Sequence, residues 1–500
     1  MKNYKELKSG SDVRGFASDI FGNTVNLTDE AVFDITAAFV CFLSKKSGKS
    51  AEALTVSVGH DSRITAERIK QKVIEALTLA GVRVLDCGLS STPAMFMTTV
   101  KKSCDGAVQI TASHHPADRN GLKFFLPSGG LDSGDISEII ESANNGVTAP
   151  KKNGSVEKCD FMTEYAAVLR GIICDELGVT EGDKPLKNYH IVVDAGNGAG
   201  GFYAEQVLKA LGADTSGSVY LEPDGMFPNH IPNPENAKAM ESICNAVLSS
   251  KADLGVIFDT DVDRAGCVDS TGVEINRNRL VALAAAICLE KEPGSTIVTD
   301  SVTSAGLKIF IEENLGGKHH RFKRGYKNVI NEAVRLCQEG INAPLAIETS
   351  GHAALKENYF LDDGAYLVTK IIIKMAKLGL EGKSISDLTA DLKMPKEAEE
   401  LRFNITAEDF RSYGEKVIAD LENWCKKKSG YTIADDNREG LRVSIGDSWF
   451  LLRLSVHDPV MPMNIESDSV GGVRAVLSEI SEFFYSQSQL DTSALKKFLK

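Results

Sequence analysis

The feature that most constrains the fold is a repeated order of strand, helix and strand along the chain. Residues 54–59 alternate in polarity as a strand does, residues 65–80 have the apolar period of a helix, and residues 82–85 begin the next strand. Strands joined through helices build parallel sheets with right-handed crossovers. The chain has 500 residues, too many for one core, so we expect three or four domains of about 100–150 residues.

The last hundred residues have a different pattern. Residues 397–405 and 440–454 alternate in polarity, with a predicted helix at 407–427 between them and another at 473–487. Alternating strands with one buried face are typical of antiparallel sheets. The sequence therefore predicts a smaller α+β domain at this end.

The composition excludes several classes of protein. Hydrophobic residues make up 43% and charged residues 25%, as in water-soluble globular proteins. The net charge of −13 argues against non-specific binding to nucleic acid. Ten cysteines without a C-x-x-C pair indicate reduced thiols. No apolar run is long enough for a bilayer and no secretion signal precedes the first strand, so we expect a cytoplasmic protein without a membrane partner.

A serine lies among histidines in the segment Thr-Ala-Ser-His-His-Pro at 111–116. The apolar run 106–110 before it predicts a buried strand, and Asn120-Gly121 after it is a turn signal. The sequence therefore predicts that Ser113 lies on an exposed loop, with Lys123 near in sequence. A hydroxyl in this setting suits a nucleophile or a phosphoryl carrier, although these residues alone are equally compatible with an ordinary Ser/Thr turn.

Three carboxylates alternate after another predicted buried strand. Asp259, Asp261 and Asp263 would repel one another unless a cation lay among them, and oxygen ligands suit Mg²⁺. An EF-hand is excluded because the sixth position is Arg264 and the twelfth is Ser270. An aspartyl phosphatase of the haloacid dehalogenase type would need Thr or Val where Asp263 stands. The sequence therefore predicts a magnesium site of another kind, with a solvated acidic turn as the alternative.

Several other loops are rich in glycine, serine and charged residues, and each alone is typical of a turn. They lie at 9–15, 194–201, 324–327, 348–352 and 453–459. The stretch at 194–201 joins a predicted strand to a helix, where backbone N–H groups can hold a phosphate. It lacks the Lys-Ser/Thr of a P-loop, so we interpret it as a tight turn.

Taken in order, these loops resemble those of the alpha-D-phosphohexomutase superfamily, the phosphoglucomutases and phosphomannomutases. The family pattern Thr-Ala-Ser-His-Asn-Pro is matched at 111–116 with His115 in place of Asn, and Asp-Gly-Asp-x-Asp-Arg is matched at 259–264 with Thr260 in place of Gly. The segment 348–352 resembles the sugar-binding Glu-x-Ser-Gly-His loop. The resemblance covers nearly the whole chain, and five segments fall in the family order.

The resemblance implies an α/β fold of four domains around one cleft. Three would be similar α/β domains with mixed or parallel sheets, and the last an α+β domain. The implied domains are a phosphoserine-loop domain at 1–158, a metal-binding domain at 159–272, a sugar-binding domain at 273–392 and a phosphate-binding domain at 393–500. We expect a monomer or a homodimer.

The resemblance also implies a reaction and a set of roles. Phospho-Ser113 would exchange its phosphoryl group with the 1- or 6-hydroxyl of a mannose or glucose phosphate through a hexose 1,6-bisphosphate, which would also be an activator. The implied catalytic residues are Ser113, Arg14, His114 and Lys123; the substrate-binding residues are Arg264, Lys327, Glu348, Ser350, His352, Arg453, Ser455 and His457; the ligands of Mg²⁺ are Ser113, Asp259, Asp261 and Asp263.

The loop at 453–459 departs from the family pattern Arg-Pro-Ser-Gly/Asn-Thr-Glu-Pro. Here His457 replaces Thr, Asp458 replaces Glu, and Pro462 stands where a second arginine is expected. This loop would therefore bind phosphate more weakly or in another way. Two alternatives stay open: a phosphoglucosamine mutase or hexose-bisphosphate synthase, and a non-catalytic homologue that binds sugar phosphates.

Overall fold

A computed structural model of the chain describes residues 3–147, 152–455 and 458–500. The chain divides into two compact units, each made of two segments. The first unit comprises Met1–Ile287 and Ser350–Leu388, and the second comprises Cys288–Thr349 and Thr389–Lys500. Across these described ranges, no helix is both long enough and apolar enough to cross a membrane. The four domain boundaries given above stay a prediction.

The α-helices of the described residues include those predicted at 65–80, 407–427 and 473–487. They are α1 Asp29–Ser47, α2 Ala66–Leu79, α3 Thr92–Lys101, α4 Ser133–Asn145, α5 Phe161–Leu177, α6 Ala237–Ser250, α7 Asn278–Lys291, α8 Ala305–Ile309, α9 Tyr326–Gln338, α10 Gly364–Leu380, α11 Phe410–Cys425, α12 Gly472–Tyr485 and α13 Ser493–Leu499. The first helix shows why the bounds fall where they do. Thr28 caps its first turn by accepting from the Ala31 N–H, and Gly48 ends it in the left-handed conformation.

The strands are short and are spread over the whole chain. They are β1 Lys8–Ser9, β2 Asp12–Phe16, β3 Thr55–His60, β4 Arg83–Leu89, β5 Gly106–Ile110, β6 Arg119–Leu126, β7 Gly129–Gly130, β8 Ser155–Lys158, β9 Ile191–Asp194, β10 Leu254–Phe258, β11 Ala265–Asp269, β12 Glu274–Ile275, β13 Thr296–Thr299, β14 Lys318–Arg321, β15 Leu345–Ile347, β16 Ala353–Leu355, β17 Leu361–Asp362, β18 Glu397–Asn404, β19 Tyr431–Ile433, β20 Leu441–Ile445, β21 Ser448–Leu452 and β22 Val460–Ser467.

The largest sheet of the first unit is mixed. Its strands run in the order β1-β2-β6-β5-β3-β4-β8, with β7 beside β6. The strands β5, β3, β4 and β8 are parallel neighbours, whereas β6 is antiparallel to both β5 and β2. The loop that carries Ser113 joins β5 to β6, so it leaves the sheet where a parallel strand meets an antiparallel one.

Two local predictions in this sheet were wrong. The polar stretch at 151–157, which follows Pro150, predicts a linker from its composition alone, but Ser155–Lys158 forms β8 and pairs in parallel with β4. Asn120-Gly121 was expected to be a turn, but both residues lie inside β6. Glycine is needed there because a Cβ on Gly121 would lie 2.3 Å from the Val13 carbonyl oxygen of the adjacent strand.

The second sheet of the first unit carries the carboxylate loop. Its order is β12-β11-β10-β9, with β9 parallel to β10 and β10 antiparallel to β11. All five residues of β10 are buried, as the apolar run predicted. Residues 259–264 join β10 to β11. The strands β16 and β17 follow the segment at 350–352 and pair with each other in antiparallel fashion.

The second unit combines two kinds of strand arrangement. The strands β14, β13 and β15 lie side by side in parallel. Its C-terminal part is an antiparallel sheet in the order β18-β22-β21-β20-β19, which confirms the α+β pattern predicted for the last hundred residues. Phe403 of β18 stacks on Phe484 of α12 with ring centroids 4.7 Å apart, within the core of this part.

Candidate active site

Ser113 lies in the loop between β5 and β6 and is buried, with 2% of its surface exposed, rather than exposed as the sequence predicted. Its backbone has a φ of 49°, in the left-handed region. Its N–H donates to Thr111 Oγ1 at 2.9 Å. Its hydroxyl donates to Asp259 Oδ2 at 3.1 Å and accepts from Arg264 Nη2 at 3.1 Å. The serine hydroxyl is therefore held directly against the carboxylate loop.

The three aspartates of that loop form a compact oxygen cluster. Asp259, Asp261 and Asp263 are buried, and one carboxylate oxygen from each lies within 4.8 Å of the others. Among the described residues, Asp261 Oδ1 and Asp263 Oδ1 have no hydrogen-bond partner. Burial, together with the charges of Asp263 and Asp261, raises the pKa of Asp259 well above its usual range. Such a set fits a hard divalent cation such as Mg²⁺.

The backbone of the carboxylate loop is strained and is supported on two sides. Val262, a β-branched residue, has a φ of 67°. Its carbonyl accepts from the Gly364 N–H at 3.0 Å. On another side, the Ala199 N–H donates to the Thr260 carbonyl at 2.8 Å, and a Cβ on Gly198 would lie 2.5 Å from that oxygen. The glycine-rich turn at 194–201 therefore packs against the carboxylate loop.

Basic side chains surround the carboxylates. Lys123 Nζ donates to Asp263 Oδ2 at 2.6 Å, Arg264 Nε lies 3.6 Å from Asp259 Oδ2, and His352 Nε2 lies 3.8 Å from Asp263 Oδ1. Burial alone would raise the pKa of Asp263, but the charges of Lys123, His352 and Arg264 outweigh it and lower that pKa below its usual range. At least one carboxylate of the cluster thus stays ionised.

His114 is a neutral imidazole in this setting. Burial, followed by the charge of Arg264, lowers its pKa to about 2. Its Nδ1 lies 2.5 Å from Arg264 Nη2 and 3.4 Å from Ser113 Oγ. Because the guanidinium can only donate, Nδ1 accepts and we assign the ring proton to Nε2. Arg14 also lowers the pKa of His114 through its charge, and it donates to Asp12 Oδ2 at 2.8 Å.

The second unit brings together other residues from the sequence prediction. Glu348 Oε1 accepts from the Gly325 N–H at 2.6 Å, so the predicted sugar-binding loop touches the loop at 324–327. Glu439, which the sequence analysis missed, accepts from the Arg324 N–H at 3.0 Å and lies 3.9 Å from Arg453 Nη1. Its position could not be inferred because more than a hundred residues separate it from Arg324.

The remaining predicted residues are placed as follows. Lys327 lies in the first turn of α9 and is half-buried. Ser350 and His352 share a hydrogen bond of 2.8 Å between Oγ and Nδ1, in the first unit. Ser455 Oγ accepts from the Asp458 N–H at 3.3 Å. His457 lies outside the described residues.

Asp300 is a buried carboxyl that the sequence analysis also missed. It follows β13 and has no exposed surface. Thr349 Oγ1 donates to its Oδ2 at 2.7 Å, while its Oδ1 has no partner in the described part of the chain. Burial, followed by the negative charge of Glu348, raises the pKa of Asp300 to about 7. The carboxyl therefore titrates near neutral pH.

Replacing Asp300 by asparagine should stabilise the protein more at about pH 8 than at about pH 5. The folded state binds the carboxyl proton more tightly than the unfolded state does, because the carboxyl has a pKa of about 3.9 when the chain is unfolded. The free energy of unfolding of the wild type therefore falls as the pH rises from about 4 to about 7. Asparagine does not titrate. The difference in thermal midpoint between variant and wild type should therefore grow with pH. An equal difference at both pH values would contradict the shifted pKa.

The sequence matches three domain families, which together cover most of the chain. They are the phosphoglucomutase/phosphomannomutase alpha/beta/alpha domains I at residues 6–150, II at 176–272 and III at 276–394. The phosphomannomutase/phosphoglucomutase of Pseudomonas putida is 31% identical over 435 residues, which covers 86% of this chain and 87% of that protein. The phosphoglucomutase of Neisseria gonorrhoeae is 28% identical over 488 residues, which covers 97% and 98%.

A solved structure shares the fold. A phosphoglucomutase/phosphomannomutase family protein from Burkholderia thailandensis superposes with a TM-score of 0.79 at 24% identity, over 97% of this chain and 98% of that one. The chain belongs to the phosphoglucomutase/phosphomannomutase family of the alpha-D-phosphohexomutase superfamily. It is accordingly an isomerase of the phosphohexomutase type.

Proposed function

We propose that the protein moves a phosphoryl group between the 1- and 6-positions of a mannose or glucose phosphate, with Ser113 as the phosphoryl carrier. The observation that carries this proposal is the position of Ser113 Oγ, 3.1 Å from both Asp259 Oδ2 and Arg264 Nη2. A hydroxyl between a carboxylate cluster and a guanidinium is suited to bearing and releasing a phosphoryl group. The names of the relatives support the substrate class.

In the forward step a hexose hydroxyl attacks the phosphorus of phospho-Ser113. A new phosphorus–oxygen bond forms on the sugar, the bond to Ser113 Oγ breaks, and the proton of the attacking hydroxyl must leave. Arg264, already within hydrogen-bond distance of Oγ, would hold the transferring group and stabilise its charge. Arg14, whose charge acts on His114, would add a second positive charge near the transferring group. The bisphosphate so formed then returns its other phosphoryl group to Ser113.

The proton transfers fall to the groups around Ser113. The low pKa of His114 makes it a weak base, and its Nδ1 already accepts from Arg264. Lys123 is therefore the better candidate for exchanging a proton with the reacting oxygens. Asp263 holds it in place at 2.6 Å.

We propose that Asp259, Asp261, Asp263 and the phosphorylated Ser113 hold Mg²⁺. The buried oxygens of Asp261 and Asp263 that lack partners within the described residues are the sites that such an ion would satisfy. When bound, Mg²⁺ supplies charge neutralisation to the phosphoryl oxygens and to the departing serine oxygen.

The sugar and its second phosphate need further ligands. We propose that Glu348 and Ser350 accept from neighbouring hydroxyls of the hexose and that His352 and Lys327 bind beside them. Arg453, Ser455 and His457 would hold the phosphate that is not reacting. The support from Arg453 is that its Nε is buried and has no partner among the described residues, so an incoming anion would satisfy it.

Replacing Arg453 by alanine should raise KM for the hexose phosphate strongly and change kcat little. A charge-assisted hydrogen bond to a group that does not react is worth about 1.5–3 kcal/mol, which is about 10- to 150-fold in KM. The matched control is Arg402→Ala on β18, whose side chain is 67% exposed and forms an ion pair with Glu400. An unchanged KM in the Arg453 variant would remove this residue from the phosphate site.

The reaction is tested by a coupled mutase assay with mannose, glucose and glucosamine phosphates, primed with a hexose 1,6-bisphosphate. We expect isomerisation of the mannose or glucose phosphates and dependence on the bisphosphate as activator. Preference for glucosamine phosphate would favour the phosphoglucosamine mutase alternative. Binding without turnover of any of the three would favour the non-catalytic alternative.

We propose the cellular setting of the enzyme from its thiols and its net charge. All ten cysteines are free thiols, which supports a reducing compartment such as the cytoplasm. The net charge of −13 disfavours a nucleic-acid partner. We propose a monomer or a homodimer with the four domains given above, and sedimentation analysis of the purified chain tests the oligomeric state.

A further inference from the structure

A second buried arginine, Arg63, binds the backbone of the serine loop, whereas Arg264 binds the Ser113 hydroxyl. Arg63 lies just after β3, and its side chain has no exposed surface. All five of its guanidinium N–H donors have acceptors, which is the full capacity of the group. They are Asp61 Oδ2 for Nε at 3.2 Å, the Pro116 and Arg119 carbonyls for Nη1 at 2.6 and 3.0 Å, and the Ser113 and His115 carbonyls for Nη2 at 2.5 and 2.6 Å.

Asp61 holds the backbone N–H side of Ser113 through Thr111. Its Oδ2 also accepts from Thr111 Oγ1 at 2.7 Å, and that hydroxyl oxygen accepts from the Ser113 N–H at 2.9 Å. The Asp61 N–H donates to the Ile110 carbonyl at 3.0 Å, which fixes the turn to the end of β5. The backbone of Ser113 is thus held at its carbonyl by Arg63 and at its N–H by Asp61 through Thr111.

The hydrogen bonds of Arg63 and Asp61 stabilise a strained backbone at Ser113. A non-glycine residue in the left-handed conformation costs about 1–2 kcal/mol, so Ser113 at a φ of 49° needs support from its surroundings. The direction of its side chain follows from its backbone. Without the four carbonyl contacts the loop could relax, and Oγ would leave the position 3.1 Å from Asp259 and Arg264.

A second loop covers the arginine. The Phe227 ring lies against the guanidinium, with 5.2 Å between Arg63 Cζ and the ring centroid. Gly225 allows this approach, because a Cβ there would lie 2.4 Å from both the Ile64 nitrogen and the Ser62 carbonyl oxygen. The segment around Phe227 therefore packs directly on the turn that carries Arg63 and screens it from water.

We propose that Arg63, held by Asp61 and covered by Phe227, is a positioning residue that fixes the orientation of Ser113 for phosphoryl exchange. This inference rests on the proposed function of Ser113. None of the three residues contacts the hydroxyl itself, so they act on the rate through the loop backbone. It also gives the loop that contains Phe227 a role in the site.

The first test is Arg63→Lys. A lysine ammonium has three donors and cannot serve four carbonyls and a carboxylate. A displacement of about 1 Å at a reacting group can cost about 100-fold, so we expect kcat to fall by about 10- to 100-fold. KM for the hexose phosphate should stay within about 2-fold, since Arg63 faces the loop backbone.

The matched control is Arg68→Lys. Arg68 lies on the helix that follows Arg63, pairs with Asp29 and donates to the Ala17 carbonyl at 2.9 Å. Both of these partners lie outside the serine loop, so kcat should stay near wild type. Equal losses in the two lysine variants would mean that arginines in this region serve stability alone, and would overturn the proposal.

Hydrogen exchange provides a readout that does not depend on activity. In Arg63→Lys the amides of residues 113–119 should exchange faster than in wild type, while those of β10 should be unchanged. A second variant, Phe227→Leu, keeps the guanidinium but removes the ring, and should shift both kcat and loop exchange in the same direction by smaller factors. It decides the matter if Arg63→Lys does not fold.

The outcomes separate the two proposals. Unchanged kcat and unchanged loop exchange in a folded Arg63→Lys or Phe227→Leu protein would overturn the positioning role. A wild-type protein that has no mutase activity and never carries phosphate on Ser113 would overturn the proposed function. In that case faster loop exchange would show only that Arg63 organises the loop, and the positioning role would fall with the function.

Discussion

Replacing Ser113 by alanine is expected to abolish mutase turnover, with a loss of at least about 1,000-fold, or about 4 kcal/mol of transition-state stabilisation. Without the hydroxyl no phosphoryl group can be stored on the protein. The fold should persist, because alanine tolerates the left-handed backbone about as well as serine does. Initial rates with a hexose 1-phosphate and a bisphosphate primer, together with the thermal midpoint, measure both effects.

A serine close by provides the control. Among the described residues, Ser62 Oγ has no hydrogen-bond partner, so Ser62→Ala should keep wild-type activity. Turnover of the Ser113 variant at a tenth of the wild-type rate or more would contradict the carrier role. A matching loss in both variants would point to a fault in folding instead.

The second large effect is expected from Asp261→Asn. Thr92 Oγ1 donates to Asp261 Oδ2 at 2.5 Å, while Oδ1 is buried and has no partner in the described chain. Replacing this carboxylate by an amide removes one negative charge from a three-carboxylate site. We expect Mg²⁺ to bind at least about 10- to 100-fold more weakly, by comparison with the effect of mutating residues that merely orient metal ligands.

Calorimetric titration of the purified variant with Mg²⁺ measures this affinity without relying on turnover. The control is Asp420→Asn, an exposed carboxylate on α11 that pairs with Lys416. Its loss should leave Mg²⁺ binding unchanged. Wild-type affinity in the Asp261 variant would place the cation elsewhere.

Much of the fold follows from local pattern. The bounds of β5 agree with the sequence prediction residue for residue, because it is a strongly apolar segment with clear ends. The carboxylate cluster could be predicted because its three aspartates lie within a stretch of five residues. Because the three aspartates directly follow a buried strand, they could also be expected to lie together in the loop at its end.

What the sequence did not reveal depends on contacts between distant segments. Ser113 was expected on an exposed loop, yet it is buried because Arg264, far along the chain, packs against it. Asn120-Gly121 is a good turn signal that pairing with β2 overrides. Arg63 carries no local sign of its role, since its carbonyl acceptors lie about fifty residues away. Asp300 likewise looks like any acidic residue after a strand.

The measurement that tests the central claim most directly follows a phosphoryl group on Ser113. The protein is incubated with a hexose 1,6-bisphosphate whose phosphoryl groups carry radioactive phosphorus. It is then freed of excess label and mixed rapidly with unlabelled hexose phosphate. We predict label on the peptide that contains Ser113, and its transfer to sugar at a rate no slower than kcat. Full turnover with no phosphate on Ser113, or with label on another residue, would contradict the account.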